Sequence, residues 1–341
     1  MIIVTVEKII EKANNLLQQL NYHTFSFGEE NKFCFDLLVK KEDYILMCKV
    51  FSNIDNVKKE DIENIKSLSL LLKSKPLLIG VKNRYQKLDD DTIYVRYGLP
   101  FITYNTFKRI LTKNKYPHIL AKRGGGVIYL DGDLMQKIRT QKRLSRKELS
   151  KKLGVAKRTV FSYENEKMRP SKEIANKILE ILEDSSIFRR INVFEWHLKF
   201  NFSQEFLYKN QELSEFKTHL KHVIDDIGLS SLWYKDGNAP FEVTMYSSDY
   251  ISEEQASAQE EKIKNFYPLF SGVSDDAKKL KDINIQALNI FTRLFNKPGI
   301  FIVDNDFKLP DNYLNKLPFI KLKQLDKIDD EDDFIRFIQK K

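Results

Sequence analysis

Four side chains near the middle of the 341-residue chain have the chemistry of polyanion binding. Lys157, Arg158, Phe161 and Ser162 fall at helical spacing on one side of the segment KRTVFSYE, whose other side carries Val160 and Tyr163. Cationic donors beside an aromatic ring, on a helix with one apolar face, suit the negative surface of a nucleic acid. Nothing in this constellation supplies a nucleophile, a general base or a metal-ligand set, so no catalytic residue, metal or cofactor is assigned to it.

The neighbouring sequence must hold that face in place. Leu134, Ile138, Leu144, Leu149 and Leu153 have helical apolar spacing with one break. Ser145 stands three residues before Glu148, the spacing of a capping box, so a helix starts there and runs to about Leu153. Gly154 follows where the chain must turn through positive φ, and Val155 points inward. The second helix starts near Ala156 or Lys157. Arg169-Pro170-Ser171 ends it and opens another, with Ile174, Ile178 and Leu182 as its stripe. Two short helices joined by a glycine turn form a helix-turn-helix, whose second helix lies in the major groove. The plain alternative is a helical hairpin with a solvated charged face. Charge distribution favours the first reading. Residues 133–183 hold fourteen basic and seven acidic side chains, a net +7 of the chain's +9.

On these residues the stretch Leu144–Ser171 resembles the phage repressor and Cro type of helix-turn-helix. The matching frame is Leu144-Ser145, Glu148-Leu149, Leu153-Gly154-Val155, Thr159-Val160, Tyr163-Glu164-Asn165 and Pro170-Ser171. The resemblance implies that Lys157, Arg158, Phe161 and Ser162 face the base edges, with Lys or Arg donating to guanine O6 and N7 and the Phe ring meeting a thymine methyl. It also implies that Arg146, Lys167 and Arg169 contact phosphates and set register. Two positions depart from the pattern. Arg146 stands where glutamine is common, which favours a phosphate contact over an amide contact. Glu166 stands where glycine is usual, so a different loop path is expected.

The two flanks read as a pair. "LPFI" occurs at Leu99–Ile102 and again at Leu317–Ile320. Upstream of each copy lies an apolar strand after a proline, PLLIGV at Pro76–Val81 and PGIFIV at Pro298–Val303. Asn64-Ile65 and Asn284-Ile285 mark the helices before them, and Phe35-Asp36 and Phe241-Glu242 lie further back. Four landmarks in one order point to a diverged duplication. In the first copy a helix is expected at Ile9–Leu20, strands at Phe33–Val39 and Tyr44–Phe51, a helix at Asp61–Leu72, and strands at Leu77–Val81, Ile93–Tyr97 and Phe101–Ile102. The second copy carries a polar insertion at Ser252–Lys262, expected as a solvated helix or a loop.

Asp36 and Lys49 on successive strands are similar to the PD-(D/E)xK nuclease core, which needs two acids for Mg²⁺ and a lysine. Met47 occupies the place of the second acid and cannot bind a hard cation. A nuclease-like fold without its activity is therefore expected, with Glu30, Asp43 or Glu63 the remaining sources of a second acid. His219 and His222 share a helical face but lack a third ligand. RGGG at Arg123–Gly126 lacks the ending of a phosphate loop and reads as a flexible lead-in. Cys34 and Cys48 read as buried and inert, which with their number fits a reducing cytoplasm. "MIIVTVEKII" reads as folded chain and not a signal peptide, and no apolar run is long enough for a membrane span.

The whole arrangement resembles the archaeal family named "putative HTH-type transcriptional regulatory protein". The residues that carry this are FDLLVKKEDYILMCKVFSNID at Phe35–Asp55, RYGLP at Arg96–Pro100, AKRGG at Ala121–Gly125 and the motif itself. The expected fold is multidomain, an all-α repressor-type helix-turn-helix between two α/β, nuclease-like domains related by duplication. Its expected divisions are 1–120, a glycine-rich linker 121–132, the helix-turn-helix 133–184, a linker 185–200, and 201–341. The expected function is sequence-specific binding of double-stranded DNA in transcription regulation, by a homodimer with no enzymatic activity. The alternatives are a metal-dependent nuclease and an architectural DNA-binding protein.

Overall fold

The computed structural model describes residues 5–26, 33–42, 44–122, 125–197, 213–234, 237–247, 266–276, 282–307 and 317–341. The expected insertion at Ser252–Lys262 lies outside them.

The chain opens with α1 (Val6–Gln19), capped by Thr5, whose side chain accepts from Lys8 N. Its Ile9, Ala13, Leu16 and Leu17 are buried. There follow β1 (His23–Ser26), β2 (Leu37–Lys41), β3 (Tyr44–Asn53), α2 (Lys59–Leu71), β4 (Lys75–Lys82), β5 (Thr92–Arg96), β6 (Leu99–Ile102), α3 (Tyr104–Lys113), β7 (Ile119–Lys122) and β8 (Gly125–Ile128). They form one eight-stranded sheet in the order β1-β2-β3-β4-β6-β5-β7-β8. β3 and β4 are parallel at its centre, where strands covered on both faces read as continuous apolar runs. Leu46, Met47 and Cys48 are buried accordingly. The expected strand Phe33–Val39 begins only at Leu37. Before it, Asp36 N donates to Cys48 O and the Asp36 side chain turns onto β3.

Four helices follow: α4 (Gly132–Gln141), α5 (Arg146–Leu153), α6 (Lys157–Glu164) and α7 (Lys172–Leu182). Two 3-10 turns, Ser185–Ile187 and Val193–Glu195, lead away. The last part comprises α8 (Glu215–Asp226), β9 (Leu229–Trp233), β10 (Val243–Ser247), β11 (Leu269–Ser274), α9 (Asp282–Phe295), β12 (Gly299–Val303), β13 (Phe319–Lys321), α10 (Leu322–Leu325) and α11 (Glu331–Gln339). Its five strands run β13-β12-β11-β10-β9.

The two sheets share a plan. In the first, β1 and β2 are antiparallel, β2 and β3 antiparallel, β3 and β4 parallel, and β4 and β6 parallel. In the second, β9–β10 and β10–β11 are antiparallel, while β11–β12 and β12–β13 are parallel. The helix between the two central parallel strands is α2 in one case and α9 in the other. The two LPFI copies fall on β6 and at the start of β13.

The described residues of both expected linkers are structured, and 123 and 124 lie outside them. Residues 121 and 122 belong to β7, Ala121 pairs with Gly126, and Leu130 bridges Phe188. Gly126 lies against the Ile119 side chain with no room for a Cβ, so its glycine serves close strand packing and not a flexible lead-in. In the second segment Val193 and Phe194 are buried in the core of the first sheet, and Trp196 Nε1 donates to Gly98 O at 2.9 Å. The apolar faces that a free linker would expose have here found a partner. Residues 198–200 lie outside the described residues. The two α/β parts also pack on each other: one buried cluster contains Phe35, Ile65 and Leu68 of the first with Phe241, Phe270 and Phe291 of the second. Phe35 stacks on Phe291 at 6.0 Å, and Lys40 Nζ donates to Leu294 O.

Candidate nucleic-acid interface

The helix-turn-helix is built from local hydrogen bonds. Ser145, with extended backbone, accepts from Glu148 N at 3.2 Å, and Glu148 Oε2 accepts from Ser145 N at 2.7 Å. Those bonds hold the Glu148 carboxyl below its ordinary pKa, the bond from the serine amide first and its hydroxyl second. At the far end Gly154 takes φ +71, and Val155 N closes onto Ser150 O. Ala156 then returns to extended backbone and α6 begins.

Leu149, Leu153, Val160, Tyr163, Ala175, Ile178 and Leu182 join Met135 and Ile138 in one core. Ile119, Ile128 and Leu130 belong to the same core, so the helices are seated on the β7–β8 edge of the sheet. Ile128 N donates to Pro170 O at 3.1 Å, and Val127 bridges Ser171.

A second set of contacts holds α6 against α4 and α5. The Glu164 carboxylate is fully buried and accepts from Arg139 Nε and Arg146 Nε, each at 2.5 Å. Arg139 also donates to Leu144 O. Gly132, at the start of α4, lies so close to the Glu164 carbonyl that a Cβ would overlap it.

The base-facing candidates come together on the first turns of α6. Lys157 and Arg158 are exposed, with no ion pair among the described residues. Phe161 is 43% exposed beside them and Ser162 is half-buried. Of the phosphate candidates, Lys167 is exposed and Arg169 lies over the Tyr129 ring at 3.9 Å. Arg146 is more occupied than expected. One nitrogen serves Glu164 and the guanidinium lies 5.2 Å from the Phe161 ring centroid, leaving the side chain about one third exposed. The loop after α6 keeps the path a glycine would give, contrary to expectation. Glu166 adopts φ +56, and its carboxylate accepts from Gly132 N and pairs with Arg189. These two contacts offset the left-handed backbone, which costs about 1–2 kcal/mol outside glycine.

Sequence reasoning missed the Arg139–Glu164–Arg146 triad. Its signal was present: Arg139 adjoins the core position Ile138, and Glu164 adjoins Tyr163, on helices whose inner faces meet.

Among the described residues of the two strands, Asp36 lacks the second strand acid that a metal-dependent nuclease needs, and Met47 fills its place. Asp36 Oδ1 lies 2.7 Å from Lys49 Nζ, and Oδ2 accepts from Val50 N at 2.7 Å. Met47 is buried with its sulfur toward Ser69. Glu63 is paired with Lys66, and Glu30 and Asp43 lie outside the described residues. Asp61, on the first turn of α2, has its carboxyl raised by burial, with Lys49 among the charges acting on it. Both oxygens of Asp36 are engaged, and a thioether stands where a hard cation needs a carboxylate, so these residues do not fit a Mg²⁺ centre.

In the second sheet Glu242 repeats the Asp36 arrangement. Its N donates to Ser271 O, and its Oε2 accepts from Val273 N at 2.8 Å. By that register Phe270 and Gly272 take the places of Met47 and Lys49. The Phe301 ring covers Gly272 and excludes any side chain there.

The remaining candidates form no site. His219 faces Asp326 at 3.6 Å, and no cluster of metal-binding side chains exists among the described residues. Cys34 and Cys48 are free thiols, both buried. Burial pushes the Cys34 thiol up to about 12 and Cys48 higher still, so neither forms a thiolate readily. Among the described residues no helix is long and apolar enough to cross a membrane.

Comparison with known proteins finds relatives and family models for parts of the chain. A PD-(D/E)XK superfamily domain model matches residues 6–117, and a helix-turn-helix model matches residues 135–187. Relatives named "Putative HTH-type transcriptional regulatory protein" occur in archaea. One from Methanococcus maripaludis strain C5 is 27% identical over 312 residues, 90% of each chain. One from Methanobrevibacter smithii is 27% identical over 98% of this chain and 97% of its own. One from Methanothermobacter thermautotrophicus is 31% identical over 52% of this chain and 56% of its own. No solved structure matches the chain.

Proposed function

We propose, from homology to proteins named as helix-turn-helix transcriptional regulators, that this chain is a sequence-specific DNA-binding regulator of the repressor and Cro type. The observation that carries the reading is the first turn and a half of α6. It is buried on one side by Val160 and Tyr163, and on the other it presents Lys157, Arg158 and Phe161 to solvent. In the major groove Lys157 and Arg158 donate to guanine, Phe161 contacts a thymine methyl, and Ser162 bonds a base edge. Lys167, Arg169 and the exposed part of Arg146 hold phosphates. A homodimer places two such helices on paired half-sites about one helical turn apart. The setting is cytoplasmic.

The divisions 1–120, 133–184 and 201–341 are proposed domains, the first and third arising by duplication. Their repeated strand order and the matching Asp36 and Glu242 contacts support this. Both act as a non-catalytic scaffold that fixes the helix-turn-helix. The test is a pair of substitutions measured on selected and random duplexes. Arg158→Ala relaxes base preference, while Lys167→Ala weakens every sequence alike and lowers the salt slope by about one. Equal losses on both duplexes from both substitutions would sink the assignment.

One observation favours a second reading, a nuclease: Asp36 and Lys49 meet in the place where PD-(D/E)xK enzymes hold an acid and a lysine. The donor set argues against it.

A further inference from the structure

We infer that the turn Lys82–Lys87 is a second DNA contact, a basic-aromatic wing that grips the backbone of the duplex beside the segment read by α6. This rests on the DNA-binding reading above and adds a surface to it.

The turn is rigid. Lys82 bridges Lys87, Asn83 N donates to Gln86 O, and Asn83 Oδ1 accepts from Tyr85 N at 2.9 Å and Gln86 N at 2.7 Å. Asp55 Oδ2 accepts from Arg84 N at 2.9 Å. The backbone of a turn so fixed needs little further ordering on binding. Lys82, Arg84, Gln86 and Lys87 are exposed, and Tyr85 is 86% exposed, the most exposed of the large hydrophobic side chains among the described residues. The acids around the turn each face a cation: Asp55 pairs with Arg96, Asp90 and Asp91 with Arg109, and Asp89 faces Lys172. Arg84 also acts on Asp55 through its charge, while Lys82 and Lys87 form no ion pair among the described residues and keep their charge for an outside partner.

Topology puts this turn on the side of the DNA reader. β4 runs parallel to β6 and β5 antiparallel to it, so the end of β4 and the start of β5 reach the same sheet end. At that end Thr92 pairs with Ile119, Ile119 pairs with Ile128, and Ile128 N donates to Pro170 O in the loop after α6. Asp89 lies 4.0 Å from Lys172 at the start of α7. Four residue steps separate Asp89 from Tyr85, a reach of at most about 14 Å. One DNA turn is about 34 Å, longer than that reach, so a duplex held by Lys167 and Arg169 is long enough to meet Arg84, Tyr85 and Lys87. Arginine, lysine and tyrosine are ordinary phosphate donors.

The test uses the full chain and a mixed-sequence duplex of about 36 base pairs, roughly three helical turns. The triple substitution Arg84→Ala, Tyr85→Ala and Lys87→Ala should weaken binding by about tenfold or more and lower the salt slope by about two. It should leave thermal unfolding unchanged, because all three side chains are exposed. In a separate Tyr85→Cys variant, whose native thiols are buried, the duplex should protect the new thiol from alkylation. Unchanged affinity in the triple variant, or a thiol alkylated equally with and without DNA, overturns the wing. The double substitution Lys157→Ala and Arg158→Ala serves as the parallel arm. If it abolishes binding while the triple variant binds like wild type, the wing fails and the helix-turn-helix reading stands. If the triple variant loses binding and the double variant does not, the wing stands and the helix-turn-helix reading fails.

Discussion

Arg139 Nε donates to Glu164 Oε1 at 2.5 Å across the buried seam between α4 and α6, and the same carboxylate takes Arg146 from α5 on its other oxygen. One acid thus orients three helices, and it sits on the same helix as Lys157 and Arg158. Removing one partner of a buried ion pair leaves an uncompensated charge and costs about 3–5 kcal/mol. Glu164→Ala should lower stability by roughly that amount. Urea titration with hydrogen exchange read on α4, α5 and α6 checks it, and protection equal to wild type in those helices would contradict it.

The start of α5 depends on one hydroxyl. Ser145→Ala removes the acceptor for Glu148 N and should cost about 1 kcal/mol, while Ser145→Asp, which keeps an acceptor, should cost much less. Chemical denaturation of the two variants side by side measures the difference. Equal losses would mean that the box contributes nothing beyond local geometry.

Acid should loosen the seat of the helix-turn-helix. His118 stacks on Phe188 at 5.7 Å, and burial lowers its pKa, with Lys115, Arg190 and Lys172 acting in the same direction and Asp91 against them. Because the folded pKa lies below the unfolded one, the neutral ring's stability is complete above the unfolded value. It is lost as pH falls through the folded value. Wild type should therefore lose more thermal stability between about pH 8 and pH 5.5, either side of the ordinary histidine range, than His118→Phe does. Parallel pH curves would rule this out.

The first sheet should not cleave DNA. Plasmid incubated with the purified protein and Mg²⁺ or Mn²⁺ should remain supercoiled, since Met47 stands where the second acid is needed and Asp36 is already engaged by Lys49 and Val50 N. Cleavage that Asp36→Ala abolishes would replace the scaffold reading with the nuclease one.

The sequence by itself determined the features that rest on short-range chemistry. The Ser145–Glu148 box, the Gly154 turn, the exposed face of α6 and the boundaries of α5 and α7 all depend on contacts within a few residues, so residue type and spacing sufficed. The central strands were legible for a similar reason, since burial on both faces leaves an apolar run. Tertiary structure alone decided the rest. That Arg139 and Arg146 converge on Glu164 depends on how three helices cross. That Glu166 keeps a glycine-like turn depends on Gly132 and Arg189, which are distant in sequence. The stretch around Gly126 is polar and glycine-rich enough to pass for a linker, yet pairing with Ile119–Lys122 makes it a strand, because backbone hydrogen bonding depends on register and not on side-chain type. The meeting of Asp89 with Lys172 is likewise decided by tertiary structure, since strand order carries the end of β4 and the start of β5 to the sheet end on which the helices are seated.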